Sequence, residues 1–225
     1  GSVSVEGGPT ATDTDGKHYR FDKWQKETAD DLTTDAGKGS FAPLGRQVRK
    51  ILLLYLVAVV LYLPIGWYAG HYQDLSLLDG VRLLVFDGTF YHLWYFPALV
   101  LGACLVYGLL RILGPRWAWL PALLLYAAGL LGDSYFGLTA ALPPLRAGYE
   151  ALFLLFDYTR NGLFFPPVFL LLGGWLALRP ARRSAAWYGA GLLLSLALLT
   201  AEGLLVHRLA LARFDALYLS LPLCV

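Results

Sequence analysis

From Ile51 onward the sequence alternates long apolar stretches with shorter polar ones. Five stretches approach the roughly 20 residues that a helix needs to cross hydrocarbon: about 48–69, 91–113, 117–137, 162–178 and 185–206. Pro64, Pro97, Pro121, Pro166 and Pro167 fall inside or at the start of these runs. Membrane helices accept proline because neighbouring helices can satisfy the freed carbonyls. The connections 70–90 and 138–161 have room for interfacial segments. In LSLLDGVRLLVF (75–86) apolar pairs recur at near-helical spacing, the pattern of a helix lying on the membrane surface. A further apolar run starts at Leu217 and stops at Val225. The fold predicted is an all-α transmembrane helical bundle, with about five full membrane helices and the start of a sixth.

Residues 1–44 differ in kind. They are rich in Gly, Thr, Asp and Lys, and HYRFDKWQKETADDL (18–32) has the makings of a short helix, but its Gly-rich flanks favour a mobile segment. The expected division is a polar segment, 1–44, and a membrane domain, 45–225. The chain has 0 Met and opens Gly1-Ser2, so it reads as a fragment, cut at both ends.

Composition sharpens this picture. Hydrophobic residues make up 57% of the chain and charged ones 15%, which excludes a disordered chain and argues against an ordinary soluble enzyme. The net charge of +2, with no basic stripe, excludes a nucleic-acid partner. The 2 cysteines, Cys104 and Cys224, sit in apolar surroundings without metal-ligand spacing, so no metal site is expected. When alternate loops are assigned to opposite sides, one side receives Arg46, Arg49, Lys50, Arg111, Arg116, Arg179, Arg182 and Arg183 and no acid. The other receives Arg82, Arg146, Arg160, Arg208 and Arg213 with every acid after residue 50. Excess Lys/Arg in short loops marks the cytoplasmic face, here of the plasma (inner) membrane, so the N-terminal segment is expected to be cytoplasmic.

Polar residues that look misplaced in an apolar chain gather in the outward loops. GTFYHLWYF (88–96) puts His92 beside Trp94 and Tyr95, as an interfacial aromatic belt or as a ligand-binding site. GDSYFG (132–137) ends the third helix with Asp133, and DYTRNG (157–162) opens the fourth with Asp157, Arg160 and Asn161. These are either capping residues or a charged cluster that can hold a carboxylate or oxyanion. Asp157 and Arg160, three apart, are expected to pair on one helical face. Glu202 lies near the outer end of the fifth helix and needs water or a partner. On the inner side GRQVRK (45–50) carries an R-x-x-R pair, Arg46 and Arg49. No Ser-His-Asp order, Walker loop, Rossmann fingerprint or H-E-x-x-H is present.

At RQVRKILLLYL (46–56), FDGTFYHLWYFPALVLG (86–102), DYTRNGLFFPPVFLLLGG (157–174) and AEGLLVHRLALARFDALYLSLP (201–222) the chain resembles the acyltransferase 3 family of integral-membrane O-acyltransferases. DYTRNGLFF and the terminal FDALYL are also similar to the membrane domain of membrane-bound serine racemases. The first resemblance implies transfer of an acyl group, often acetyl, from cytoplasmic acyl-CoA to a hydroxyl on a cell-surface glycan. It also implies that Arg46 and Arg49 engage the donor, and that no cofactor is bound. The family's base histidine belongs to an upstream helix that 1–44 does not contain, and His18 cannot replace it, so this chain by itself is expected to be inactive. The second resemblance implies a membrane module for binding or uptake of a small polar solute such as serine.

The charge separation generates a direct expectation for topology. A cysteine placed at Ser40 should be shielded in intact cells from a membrane-impermeant thiol reagent, and one at Ala140 should react. Labelling at 40 but not at 140 would invert the arrangement.

Overall fold

The computed structural model describes residues 10–12, 18–20, 42–73, 75–90, 92–178 and 184–225. In the polar N-terminal segment, β1 (Thr10–Thr12) and β2 (His18–Arg20) pair antiparallel, with Thr10 opposite Arg20. This short ribbon was not anticipated from the sequence. The rest of the stretch once read as a possible helix, and Arg179, Arg182 and Arg183, lie outside the described residues.

Helices make up the remainder. They are α1 (Ala42–Tyr68), α2 (Leu77–Arg82), α3 (Tyr95–Trp117), α4 (Trp119–Gly132), α5 (Phe136–Ala140), α6 (Pro143–Leu152), α7 (Pro166–Ala177) and α8 (Ala185–Arg208). Each of the five predicted apolar stretches contains a helix, long in three of them and shorter in the other two. α1, α3 and α8 are long and apolar enough to cross a membrane, and their exposed leucines face outward as a lipid-facing surface must. In α1 a narrow stripe is buried, Ile51 and Tyr55 one turn apart with Gly66 further on, and α1 packs on α3. The run from Leu217 is not a sixth helix: within the described residues it forms a 3-10 turn, Leu221–Cys224.

Bundle packing relies on small residues. α3 buries Ala98 and Gly102 in successive turns, and α4 buries Ala118 and Ala122 likewise. The core joins Val106 of α3, Ala122, Tyr126 and Leu130 of α4, Val168 and Leu171 of α7, and Leu217. A Cβ on Gly102 would come within 2.6 Å of Pro166 Cβ, so α3 and α7 approach closely only because the residue is glycine. Gly114, at φ 76, ends the regular winding of α3, and Pro115 starts the turn into α4.

α4 and α7 have 14 and 12 residues, about 21 and 18 Å at helical rise. Neither spans the roughly 30 Å of a hydrocarbon core. The third predicted stretch ran to 137 and the fourth began at 162, whereas the helices stop at Gly132 and start at Pro166. Non-helical backbone at depth is tolerated only where protein satisfies it. Donors from outside the helix reach four carbonyls in the last turns of α4. Tyr149 donates to Ala128 O at 2.6 Å, Thr159 Oγ1 to Gly129 O at 2.8 Å and Thr139 Oγ1 to Leu131 O at 2.8 Å. The N–H groups of Asp133 and Tyr135 bond Leu130 O at 3.2 and 3.0 Å. Segment 157–165 thereby docks in extended and turn conformation between α3 and α4, and a Cβ on Gly162 would lie 2.9 Å from Ala98 O.

Thr159 is wholly buried and its hydroxyl covers a carbonyl with no other recorded partner. Thr159→Val keeps the shape and orphans Gly129 O, so it should cost about 1–3 kcal/mol. Thr159→Ser should cost less because the hydroxyl remains. Thermal unfolding in detergent reads the difference, and equal melting points for the two variants would show that this bond does not matter.

Candidate functional site

The polar residues converge at the end of the bundle formed by the connections 70–94, 133–165 and 209–220. α2 begins with a capping box: Asp79 N–H bonds Ser76 Oγ at 3.2 Å and Ser76 N–H returns to Asp79 Oδ2 at 3.1 Å. That start sets Arg82 in the last turn, and a π-helical turn, Leu83–Asp87, carries the chain on. Arg82 Nη2 donates to Asp157 Oδ1 at 2.6 Å and to Phe153 O at 3.2 Å, while its Nε lies 3.2 Å from Asp87 Oδ2. Asp87 is buried. Its Oδ1 accepts the Asp157 N–H at 3.3 Å, and its carbonyl accepts the Tyr158 hydroxyl at 3.0 Å.

From Tyr158 the cluster continues inward. The Arg160 guanidinium lies 4.6 Å from the Tyr158 ring centroid and 5.4 Å from that of Trp94, which meets Phe165 edge-on. Such cation–π contacts hold a guanidinium at modest desolvation cost. Asn161 is buried: its Nδ2 donates to Tyr158 O and its Oδ1 accepts from Leu163 N–H, so it shapes the turn ahead of α7. His92 is exposed, one residue from buried Leu93.

Of the residues singled out by sequence, Trp94, Asp157, Arg160 and Asn161 come together, joined by Arg82, Asp87 and Tyr158. The pairing expected within DYTRNG is corrected. Asp157 bonds Arg82, 75 positions away, because residues 157–160 are not helical and a three-residue spacing gives no shared face there.

Asp133 and Glu202 stand apart as staples for the C-terminal segment. Asp133 Oδ1 accepts the N–H groups of Ala216 and Leu217, both at 2.9 Å, and Ser134 Oγ at 3.0 Å. Glu202 accepts Tyr135 OH and the Leu219 N–H on one oxygen, and the Ser220 N–H and hydroxyl on the other. Four donors satisfy an acid that would otherwise be costly in an apolar helix. Glu202 also lies in an open groove of about 390 Å³ walled by Leu198, Leu205 and Leu223. Arg46 and Arg49 lie exposed near the start of α1, far from this cluster along a 27-residue helix. Among the described residues no group of three His, Cys, Asp or Glu side chains is placed to hold a metal ion.

Residues 37–223 match the acyltransferase-domain family Acyl_transf_3. The chain belongs to the acyltransferase 3 family. It is also similar to curated racemases of enterococci. An amino-acid racemase of Enterococcus faecalis is 44% identical over 140 residues, covering 62% of this chain and 20% of that protein. A second from the same organism is 39% identical over 178 residues, covering 78% and 25%. A serine/alanine racemase of Enterococcus gallinarum is 39% identical over 177 residues, with the same coverage. The acyltransferase 3 domain thus spans a fifth to a quarter of the length of these relatives. No solved structure matches it.

Sequence reasoning about this acyltransferase 3 domain counted Arg82 among the outward charges but did not place it, Asp87 or Tyr158 in the cluster. The available signal was a lone arginine and two acids, Asp79 and Asp87, within LLDGVRLLVFD, since charges in an apolar surface segment call for partners.

Burial pushes the Asp87 carboxyl up from 3.8 to about 6; the Asp157 charge adds to the rise and Arg82 offsets part of it. The folded domain therefore holds more protons than the unfolded chain between about pH 4 and 6. Asp87 contributes stability that is fully present below 3.8 and is lost as the pH rises through about 6. The melting temperature should rise as the pH is lowered from 7 to 5, and Asp87→Asn should flatten that portion of the profile. A profile unchanged by the substitution would separate Asp87 from the pH response.

Proposed function

We propose that the protein is a plasma-membrane acyltransferase that moves an acyl group, often acetyl, from cytoplasmic acyl-CoA to a hydroxyl acceptor such as a surface glycan on the opposite face. Membership of the acyltransferase 3 family over 37–223 carries this reading. Arg46 and Arg49 serve as the donor-binding pair. Both are exposed, and three residues apart on α1 they share a face one turn deep. Two guanidiniums so spaced suit the phosphates of a CoA, which each can grip through paired N–H donors. With the N-terminal segment cytoplasmic, the cluster around Trp94, Tyr158 and Arg160 faces the acceptor. His71, His92 and His207 sit at that same acceptor end, about 30 Å from a donor at Arg46, so the reading assigns no base among the residues described.

A second reading rests on the racemase relatives and on the cluster itself. An amino acid such as serine presents a carboxylate and an ammonium, and Arg160 and Asp157 offer the complementary pair of charges within four residues. On this reading the same end of the bundle binds or admits a small polar solute.

Binding of acetyl-CoA and of L-serine to the protein in nanodiscs discriminates the two. Arg49→Lys retains charge but loses the bidentate fork, and should weaken acetyl-CoA binding roughly tenfold, an ordinary charge-assisted hydrogen-bond contribution. Equal affinity in wild type and Arg49→Lys would remove the donor role. Saturable serine binding lost in Arg160→Gln, without any acetyl-CoA binding, would put solute handling in its place.

A further inference from the structure

A strap is built into the connection that follows α1. Residues 75–87 lead into Gly88, which adopts φ 78, a region that side-chain-bearing residues rarely enter. A Cβ on Gly88 would lie 2.2 Å from Trp94 N, so that hinge closes directly against the Trp94 turn. Within the strap, α2 presents Leu77 and Leu78 at 92% and 81% exposure, with Val81 and Leu84 also exposed. α1 likewise ends in exposed Trp67 and Tyr68. An apolar face of this kind at the end of membrane helices fits the interfacial region of a bilayer.

The strap is fastened to the bundle by a few polar contacts. Tyr55 OH bonds Leu84 O at 3.1 Å. The charged fastening is Arg82, shared between half-open Asp157 and buried Asp87. It is not fully seated on the inner side: Arg82 Nε and Asp87 Oδ2 are buried and 3.2 Å apart, yet neither is in hydrogen-bond geometry. A buried charge pair without aligned hydrogen bonds recovers little of its desolvation cost. The far end of the strap holds Tyr158 through Asp87 O, and the Tyr158 ring carries Arg160.

We propose that residues 75–88 form a hinged strap that lies at the lipid surface and is latched over the Tyr158–Arg160 side of the cluster by Arg82, through Asp157 and Asp87. Release of Arg82 lets the strap swing about Gly88 away from the bundle and settle further into the bilayer interface, which frees Tyr158 and Asp157. The proposal is independent of whether the cluster takes an acyl acceptor or a free solute.

Spin labels at Leu78 and at exposed Leu142, in a background with Cys104→Ser and Cys224→Ser and in nanodiscs, report the separation of strap and bundle. The latched wild type should give one narrow distance distribution, and Arg82→Gln a second, longer component. Asp157→Asn should do the same to a smaller extent, because it removes the exposed half of the latch and leaves the Asp87 contact. If Arg82→Gln does not fold, Asp157→Asn decides by itself, since that carboxylate is 62% exposed and the core does not depend on it. Quenching of a fluorophore at residue 78 by shallow nitroxide lipids should rise in parallel. Distances unchanged in the variants, or a label at 78 that lipid-borne quenchers never reach, would overturn the strap.

Discussion

The arrangement depends on how one helix is allowed to end. α4 stops after 14 residues, short of the bilayer thickness, and leaves the carbonyls of Gly129, Leu130 and Leu131 at its end in a low-dielectric surrounding. In hydrocarbon an unanswered carbonyl costs several kcal/mol, so a short helix survives only if protein donors reach it. Tyr149, Thr159 and Thr139 arrive from three different segments, and the backbone of the Asp133 turn supplies the rest. Those bonds draw α6, the 157–165 segment and α5 onto the end of α4.

The charged cluster follows from that constraint. Thr159 is anchored on Gly129, so its neighbours Asp157, Tyr158 and Arg160 are delivered to fixed places at the rim of the bundle. There they meet the only cation that the strap brings, Arg82, together with Asp87, and the aromatic rings that support Arg160. The glycines at 102, 129 and 162 make the same docking sterically possible, because a Cβ at each would collide with Pro166, Phe164 or Leu101. Hydroxyl capping and glycine packing are therefore two sides of one arrangement: the first satisfies the inserted backbone and the second makes space for it.

Charge at this end divides into two kinds. Asp133 and Glu202 are absorbed by backbone N–H groups of the C-terminal segment and act as staples, holding residues 216–220 against α4 and α8. Arg82, Asp87, Asp157 and Arg160 engage each other or aromatic rings; Asp87 is buried, and the other three retain contact with the surface. Family membership places the bundle among acyltransferase 3 domains, while the racemase relatives match it over a fifth to a quarter of much longer proteins.

Membrane residence, an all-helical bundle and the approximate location of five helices were legible from periodicity and run length, because burial in lipid imposes a simple local rule on each side chain. Most of the polar positions that matter at the rim could be named the same way, since charge is conspicuous in an apolar chain. Partnership could not. The expected Asp157–Arg160 pair presumed a helix where the chain is extended, and Arg82 reaches Asp157 from 75 positions away. Nor could hydropathy reveal that the runs 117–137 and 162–178 are shorter helices joined to inserted turns, because an apolar turn and an apolar helix have the same composition. The choice between them was made by donors elsewhere in the chain: Thr139, Tyr149 and Thr159 end α4 at Gly132, and only the folded bundle brings them there.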